Sequence, residues 1–342
     1  MNSYTLTDLG WSDHFAHQVT DDDAGLTPVR ITEVQRETLT GLGPDGFITL
    51  APKGNAGDFA VGDWVLHDGV WAQKVLEPQS DMVRKAAGHR AGRQRIAANI
   101  DTIAIVTSCN ADFNIPRLER YLALVASTGA LPLIVLTKAD LDAAQDYIRQ
   151  AQGLGPLVTV VALNAKEPDE AHRLLPWCKD GQTLALVGSS GVGKTTLRNA
   201  LTGNLADTQG IREDDARGRH TTTFRSMSAT VAGGWLIDTP GMRELQLTDA
   251  AEGIDAVFSD IDDLIRQCRF SDCTHQSEPG CAVREAIEAG NLDPDRLERY
   301  EKLLREDEIN SESIAQRHER TRNLEKTYKE GKARGRNKRR GR

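Results

Sequence analysis

The stretch "TLALVGSSGVGKTTLRNALTG", residues 183–203, places an apolar run, a glycine-rich turn and a helix-like segment in direct succession. Residues 188–195 fit the pattern G-x-x-x-x-G-K-[ST] without departure, and the flanking segments give that pattern its expected context. The glycines allow successive backbone N–H groups to face a bound phosphate, and the helix start adds the positive end of its dipole. The segment therefore predicts a phosphate-binding loop in an α/β fold.

Two side chains at the end of this loop have predicted chemical roles. Lys194 would place a positive charge against β- and γ-phosphate oxygens, which makes it a predicted catalytic residue, and the Thr195 hydroxyl would bind Mg²⁺. The alternative is a glycine-rich turn before a helix, but the strand, the Lys-Thr pair and the helix together favour the phosphate loop. The predicted nucleotide-binding set is Gly188, Ser189, Ser190, Gly191, Val192, Gly193, Lys194, Thr195 and Thr196.

A later segment, "WLIDTPG" at 235–241, ends an apolar run on an aspartate and fits the D-x-x-G pattern of GTPases. Asp238 would hold Mg²⁺, usually through a water molecule, and the backbone N–H of Gly241 would bond the γ-phosphate. The same residues also make a good turn, but their place downstream of a phosphate loop favours nucleotide binding.

The segment between these motifs, "RGRHTTTFR" at 217–225, is polar, lacks an apolar period and is predicted to be a loop. Such a loop would supply a threonine that caps Mg²⁺. The sequence leaves open which of Thr221, Thr222 and Thr223 does so, and the alternative is a solvated β-edge.

The residue that orients the attacking water is not the usual one. Ras-like GTPases carry a glutamine directly after the D-x-x-G pattern, whereas this chain has Met242. His220, beside the loop threonines, is therefore the candidate for positioning the water and the second predicted catalytic residue, with Lys194. The alternative is a loop histidine without a catalytic role.

Two further segments predict a guanine site. "LPLIVLTKAD" at 131–140 is an apolar strand ending in Lys-x-Asp, in which Asp140 would accept hydrogen bonds from guanine and Lys138 would lie along the base. The next strand ends in "LNAKE" at 163–167, where GTPases usually have Ser-Ala-x. Either loop alone could be a chance surface loop, but two in this order favour guanine recognition. The predicted guanine-binding residues are Thr137, Lys138, Ala139, Asp140, Asn164 and Ala165.

The order of these loops is unusual. Both guanine-type loops precede the phosphate loop, whereas in an ordinary GTPase they follow it. Loops at the carboxyl ends of a parallel sheet converge wherever the chain begins, and cuts near adjacent termini are tolerated. The sequence therefore predicts a circularly permuted GTPase fold.

The segments on the amino-terminal side have a different pattern. Between about 29 and 85, short alternating strands separated by Gly, Pro and Asp predict a small antiparallel β-barrel of OB type, with a β-meander as the alternative. Residues 84–99 are basic and poor in β-branched residues, which predicts a linker or mobile loop. Apolar strand-length runs then alternate with helix-like segments, as in a doubly wound parallel sheet.

A cluster of metal-ligating residues lies in the polar, helical part of the chain after residue 250. The segment "CRFSDCTHQSEPGC" at 268–281 has the spacing C-x4-C-x-H-x5-C. Three thiolates and one imidazole can complete a closed tetrahedral site for structural Zn²⁺. The alternative is reduced, buried thiols. The predicted ligands are Cys268, Cys273, His275 and Cys281.

The net charge of −8 conceals a basic end. Residues 316–342 carry twelve Lys or Arg and three Glu, a net charge of +9, which leaves −17 on the rest of the chain. A basic tail predicts a polyanionic partner, with a solubilising tail as the alternative. No apolar run reaches the length of a membrane span and the first residues lack a signal-peptide pattern, so a cytoplasmic protein is expected.

Taken together, these motifs resemble those of the circularly permuted bacterial GTPases called ribosome small subunit-dependent GTPase A, over most of the chain. The segments that carry the resemblance are "AANID" (97–101), "TKAD" (137–140), "GSSGVGKTTL" (188–197), "RHTTT" (219–223), "DTPGMREL" (238–245) and the Cys/His cluster. The resemblance implies zinc at the cluster and GTP hydrolysis stimulated by the 30S ribosomal subunit. It also implies a role in late maturation of that particle, with 16S rRNA as a partner.

The expected chain is multi-domain: an OB-like barrel that binds RNA at 1–95 and a circularly permuted α/β P-loop GTPase domain at 96–250. A mainly helical zinc-binding domain follows at 251–330, and a basic tail at 331–342. Nothing in the pattern indicates a dimer seam, so a monomer is expected. Two other classes stay open, a P-loop kinase or ATPase and a nucleic-acid-binding module whose nucleotide site is only structural.

Overall fold

The computed structural model describes residues 4–85, 93–140, 144–155, 158–203, 226–238, 247 and 250–311. Within these ranges, no helix combines the length and the apolar character needed to cross a membrane. The strands are β1 (Thr27–Val34), β2 (Leu39–Gly43), β3 (Gly46–Pro52), β4 (Trp64–His67), β5 (Trp71–Val75), β6 (Asp81–Lys85), β7 (Arg93–Ala98), β8 (Thr102–Ser108), β9 (Leu131–Thr137), β10 (Thr159–Ala162), β11 (Thr183–Gly188), β12 (Ser226–Ala229) and β13 (Trp235–Asp238).

The helices fall mainly in the central and carboxyl-terminal parts of the chain. They are α1 (Asp13–Ala16), α2 (Ile115–Ala126), α3 (Ala144–Gln152), α4 (Pro168–Ala171), α5 (Lys194–Thr202), α6 (Ala251–Val257), α7 (Ser259–Ile265), α8 (Ala282–Glu288) and α9 (294–311). Short 3₁₀ helices lie at Asp21–Asp23, Ala56–Asp58 and His172–Trp177.

The first five strands form the predicted barrel. β1 pairs with β2 and β4, and the chain of pairings through β3 and β5 closes the ring. Strand β2, "LTGLG", does not show the alternation typical of a strand, because two of its five residues are glycines. A side chain at Gly41 would lie 2.8 Å from Val29 Cγ2, so the glycine gives Val29 room in the barrel core.

The prediction of a linker over 84–99 is wrong where the structure describes it. β6 and β7 pair as an antiparallel hairpin, with Lys85 opposite Arg93 and Asp81 opposite Ala98. The hairpin is attached to the barrel because the N–H of Ala98 donates to the Val61 carbonyl at 2.8 Å. β7 crosses the position predicted as the first domain boundary, and the boundaries themselves stay predictions.

The central sheet has the strand order β10-β9-β8-β11-β13-β12, parallel except for β12. Every residue of β8 and β11 is buried, as expected for parallel strands covered on both faces. The carboxyl ends of β9, β10, β11 and β13 share one edge of the sheet, and each is followed by a predicted nucleotide loop. The doubly wound sheet and its permuted loop order are confirmed.

The barrel and the central sheet are continuous in the described part of the chain. β12 pairs with β1 in antiparallel fashion, with Ser226 opposite Glu33, so eleven strands form one sheet. Arg30 is fully buried at this junction and donates to the Leu9 carbonyl at 2.7 Å and to the Thr183 hydroxyl at 2.7 Å. The guanidinium therefore ties the amino-terminal segment and barrel to the first residue of β11.

The carboxyl-terminal helices pack against α2. The Glu119 carboxylate of α2 is completely buried and accepts hydrogen bonds from Arg296 at 3.1 Å and from Arg299 at 2.7 Å, both on α9. Asp307 accepts from the Ala250 backbone N–H at 3.0 Å, which also joins α9 to the start of α6. This network fixes the mainly helical part against the GTPase-like sheet.

Candidate nucleotide-binding site and metal centre

The backbone of the predicted phosphate loop has the shape that its glycines allow. Gly188 ends β11 at φ 138°, and a side chain there would lie 2.1 Å from the Val106 carbonyl oxygen. Gly193 precedes α5 at φ 102° as its N-cap, without a side-chain capping bond. The first N–H groups of α5 therefore have no capping side chain and would be available to a bound phosphate.

The Lys194 ammonium lies over the loop. It donates to the Gly188 carbonyl at 2.8 Å and also to the Ser189 carbonyl. Val192 is buried beneath the loop, whereas Ser190, Gly191, Thr195 and Thr196 are exposed. The cradle is thus open on the side where phosphates would bind, and the roles predicted for its residues stay predictions.

Thr137 joins the guanine-type loop to the phosphate loop. It ends β9 and is buried, and its Oγ1 lies 2.6 Å from the Val192 carbonyl oxygen and 3.1 Å from the Thr107 carbonyl oxygen. The hydroxyl has one proton, so the nearer carbonyl of the phosphate loop takes the stronger bond. Lys138 follows at φ 55°, a left-handed conformation that turns the chain sharply after the strand.

The second guanine-type loop also lies next to the phosphate loop. A side chain at Gly193 would lie 3.5 Å from Thr137 Cγ2 and 3.7 Å from Ala165 Cβ. The Ala139 N–H donates to the Leu163 carbonyl at 3.3 Å, which holds the two guanine-type loops side by side. Three segments singled out separately in the sequence therefore converge on one site.

Asp140 and Asn164 have different surroundings within this site. The Asp140 carboxylate is exposed. The pKa of the Cys109 thiol, at the end of β8, is raised mainly by burial of the thiol and, to a smaller extent, by the negative charge of Asp140. Asn164 instead shapes its own turn: its Oδ1 accepts from the Lys166 N–H at 3.1 Å, and its N–H donates to Glu170 at 2.7 Å. Glu170 was not recognised in the sequence, because nothing local marks it as a partner.

Asp238 ends β13 beside β11 and is one-quarter exposed. Its Oδ2 accepts from Arg198 Nη1 at 3.0 Å, and Arg198 was also missed in the sequence. Thr195 lies three residues before Arg198 on α5, so the two side chains share a helix face. Oxygen ligands from a threonine and an aspartate at one sheet edge suit Mg²⁺, a hard cation.

Several residues singled out in the sequence lie outside the described residues, as does the basic tail. They are His220, Thr221, Thr222, Thr223, Gly241 and Met242.

We expect Thr137→Val to weaken both the protein and its nucleotide site. The change removes the donor to the buried Val192 carbonyl, which is worth roughly 1 kcal/mol of unfolding free energy. Because the two loops would lose their direct link, GDP affinity should fall about threefold to tenfold. Urea unfolding and GDP titration measure the two effects, with the exposed Thr159→Val as the matched control. Wild-type behaviour in both measurements would contradict this role of Thr137.

The four predicted metal ligands come together between α7 and α8. The ligand atoms of Cys268, Cys273, His275 and Cys281 all lie within 4.8 Å of one another. His275 Nδ1 is 3.5 Å from Cys281 Sγ and 3.7 Å from Cys268 Sγ. Three thiols and an imidazole at these distances suit a closed tetrahedral Zn²⁺ site without an open position for catalysis.

One carboxylate organises the loop between these ligands. Glu278 accepts hydrogen bonds from the backbone N–H groups of Thr274, Gln276 and Ser277 and from the Thr274 hydroxyl. The Thr274 hydroxyl bond, followed by the backbone bonds, lowers the pKa of Glu278 to about 2. The loop that carries Cys273 and His275 is therefore held in shape by the protein itself.

In sequence, the chain matches one family model and relatives that carry the name of the same family. The model of the RsgA GTPase family matches residues 75–248. A relative from Mesorhizobium japonicum named small ribosomal subunit biogenesis GTPase RsgA is 51% identical over 320 residues, covering 91% of this chain and 92% of the relative. A Vibrio vulnificus protein named small ribosomal subunit biogenesis GTPase RsgA 2 is 46% identical over 330 residues, covering 95% of each chain.

Solved structures share the fold. YjeQ from Thermotoga maritima superposes with a TM-score of 0.61 at 24% identity, covering 81% of this chain and 97% of that one. YloQ, described as a circularly permuted GTPase, gives a TM-score of 0.58 at 24% identity, with coverage of 85% and 98%. The permuted arrangement predicted from the loop order is the fold that these structures have.

Proposed function

The chain belongs to the RsgA GTPase family, and on that premise we propose that it binds the 30S ribosomal subunit and assists the late maturation of that particle. It is a GTP hydrolase. Hydrolysis to GDP and phosphate would be stimulated by the 30S particle. The observation that supports this function most is the approach of Gly193 to both Thr137 and Ala165, which puts guanine-type loops beside a phosphate loop.

The guanine base would lie against the loops that follow β9 and β10. The exposed Asp140 carboxylate would accept hydrogen bonds from the base, and the Lys138 stem would cover one face. The backbone N–H groups at the start of α5 and the Lys194 ammonium would hold the phosphates, once the ammonium leaves the carbonyls of Gly188 and Ser189. His220 is proposed to position the attacking water.

Two metals complete the proposal. Thr195 and Asp238 would hold Mg²⁺, with one of the loop threonines in the GTP state, and the ion would offset charge on the β- and γ-phosphate oxygens. The three cysteines and His275 would hold a structural Zn²⁺. Glu278 supports this assignment, because its hydrogen bonds to Thr274 and Gln276 hold the loop that carries Cys273 and His275.

The barrel surface supports an RNA partner, proposed to be 16S rRNA. The aromatic side chains of Phe47 and Trp71 are 56% and 46% exposed on β3 and β5, which suits stacking on unpaired bases. Lys53 donates to the Gln73 side-chain oxygen at 2.8 Å, two residues along β5 from Trp71, and would offer a positive charge to the phosphate backbone. In the carboxyl-terminal part, the Arg269 guanidinium covers the exposed Phe270 ring.

We infer that the protein acts as a cytoplasmic monomer.

Turnover of GTP and ATP with and without purified 30S subunits tests this function. We expect hydrolysis of GTP but not ATP, and faster hydrolysis with 30S subunits. Asp140→Asn should lower the preference for GTP about a hundredfold, because guanine then loses its ionic acceptor. Asp146→Asn, in an exposed pair with Arg149 on α3, is the matched control.

Two other results would replace the proposal. Turnover of ATP that is indifferent to Asp140→Asn would indicate a P-loop kinase or ATPase. Absence of turnover that 30S subunits stimulate, with RNA binding retained, would indicate a nucleic-acid-binding module whose nucleotide site is structural.

A further inference from the structure

An arginine on the phosphate-loop helix contacts the aspartate expected to hold Mg²⁺. Arg198 Nη1 donates to Asp238 Oδ2 at 3.0 Å, and the two side chains are 27% and 26% exposed. Among the residues that the structure describes, Arg198 is the side chain bonded to this carboxylate, and it takes one of the two oxygens. The pair is thus partly shielded from solvent, where salt screens charge interactions less.

The position of Arg198 on α5 places it beside the other phosphate-site groups. Lys194 and Thr195 lie four and three residues before it, so the Arg198 side chain is a neighbour of each of them on the helix surface. The guanidinium keeps its charge at any ordinary pH. A Mg²⁺ ion held by Thr195 and Asp238 would therefore lie near the fixed positive charge of Arg198. The ion and the guanidinium would also compete for the same Asp238 carboxylate.

We propose that Arg198 is a positioning residue that competes with Mg²⁺ for Asp238 and so lowers the affinity of the nucleotide site for the ion. With no ion bound, Arg198 holds the carboxylate at the end of β13. When Mg²⁺ binds, Asp238 must share or leave this partner, and the two cations repel. The effect is largest with GDP, which has no γ-phosphate oxygen to hold the ion, so Arg198 favours loss of Mg²⁺ and release of product.

This inference rests on the proposed guanine-nucleotide site, and the full chain with a fluorescent methylanthraniloyl derivative of GDP tests it. The release rate of this probe is measured from excess EDTA up to millimolar free Mg²⁺. With Arg198→Met, the Mg²⁺ concentration that half-maximally slows release should fall about threefold or more, the size expected for a partly exposed ion pair. Release in EDTA should stay unchanged, because no ion is then present to compete.

Three variants make the measurement specific. Arg198→Gln removes the charge in a polar form and should behave as Arg198→Met does. Arg198→Lys keeps the charge and should stay within about twofold of the wild type. Arg149→Met breaks the exposed Arg149–Asp146 pair on α3 and should change nothing.

The possible outcomes separate the inference from the function. An unchanged or higher Mg²⁺ requirement for Arg198→Met and Arg198→Gln would overturn the inference, as would faster release of the probe from both variants in EDTA. A wild-type protein that does not bind the probe would instead contradict the guanine site itself.

Discussion

Lys194→Ala is expected to lower kcat for GTP hydrolysis by at least about a hundredfold, with or without 30S subunits. The ammonium is the one side-chain cation on the phosphate loop itself among the described residues, held at the Gly188 carbonyl. Negative charge on the phosphate oxygens grows as the bond to the leaving group breaks, so a nearby positive charge stabilises the transition state more than the bound substrate. Single-turnover hydrolysis of GTP measures this step separately from binding and product release.

The control for this change is another lysine of the same domain. Lys179 is exposed beside Asp180, away from the loops, and Lys179→Ala should keep wild-type turnover. Turnover of Lys194→Ala within a few-fold of the wild type would contradict the role of this loop as the phosphate site.

Glu119→Ala should produce the largest loss of stability. The carboxylate has no exposed surface, and its two partners Arg296 and Arg299 are 15% and 23% exposed. Removing the buried carboxylate takes away the ionic partner of Arg299, whereas Arg296 keeps Asp260 at 2.8 Å, and breaking such a buried pair costs about 3–5 kcal/mol. Urea unfolding would report this loss, and hydrogen exchange should rise across residues 250–311 because α9 would lose its hold on α2.

An exposed pair in the same region provides the comparison. Arg284 and Glu288 are four residues apart on α8, with side chains 38% and 67% exposed. Glu288→Ala should change the free energy of unfolding by no more than about 0.5 kcal/mol. Equal effects of Glu119→Ala and Glu288→Ala would show that the α2–α9 network does not fix the carboxyl-terminal part.

Much of the site could be predicted because its motifs are local. The glycines at 188 and 193 are required by backbone conformation within one short loop, and Lys194 follows at a fixed spacing. The Cys and His ligands span only fourteen positions, so their clustering is evident from spacing. The permuted fold followed from the order of these motifs along the chain, since order is a property of sequence.

The strands that the sequence pattern did not predict share one physical feature. β2 contains two glycines that admit Val29 to the barrel core, and β7 is rich in Arg, Gln and Ala. Their strand conformation comes from pairing with neighbours and not from a β-branched, alternating sequence. The same holds for β12, which lies between β13 and β1 and makes the central strands continuous with the barrel.

The sequence by itself determined which residues are the candidates for binding phosphate, guanine and zinc, and in what order the chain supplies them. Only the tertiary structure decided which polar residues are partners. Thr137 meets Val192 across 55 positions, Arg198 meets Asp238 across 40, and Glu119 meets Arg299 across 180. The physical reason is that phosphate loops and metal ligands are fixed by local backbone geometry, whereas a buried hydrogen bond or ion pair needs only proximity in space, which the packing of distant elements creates.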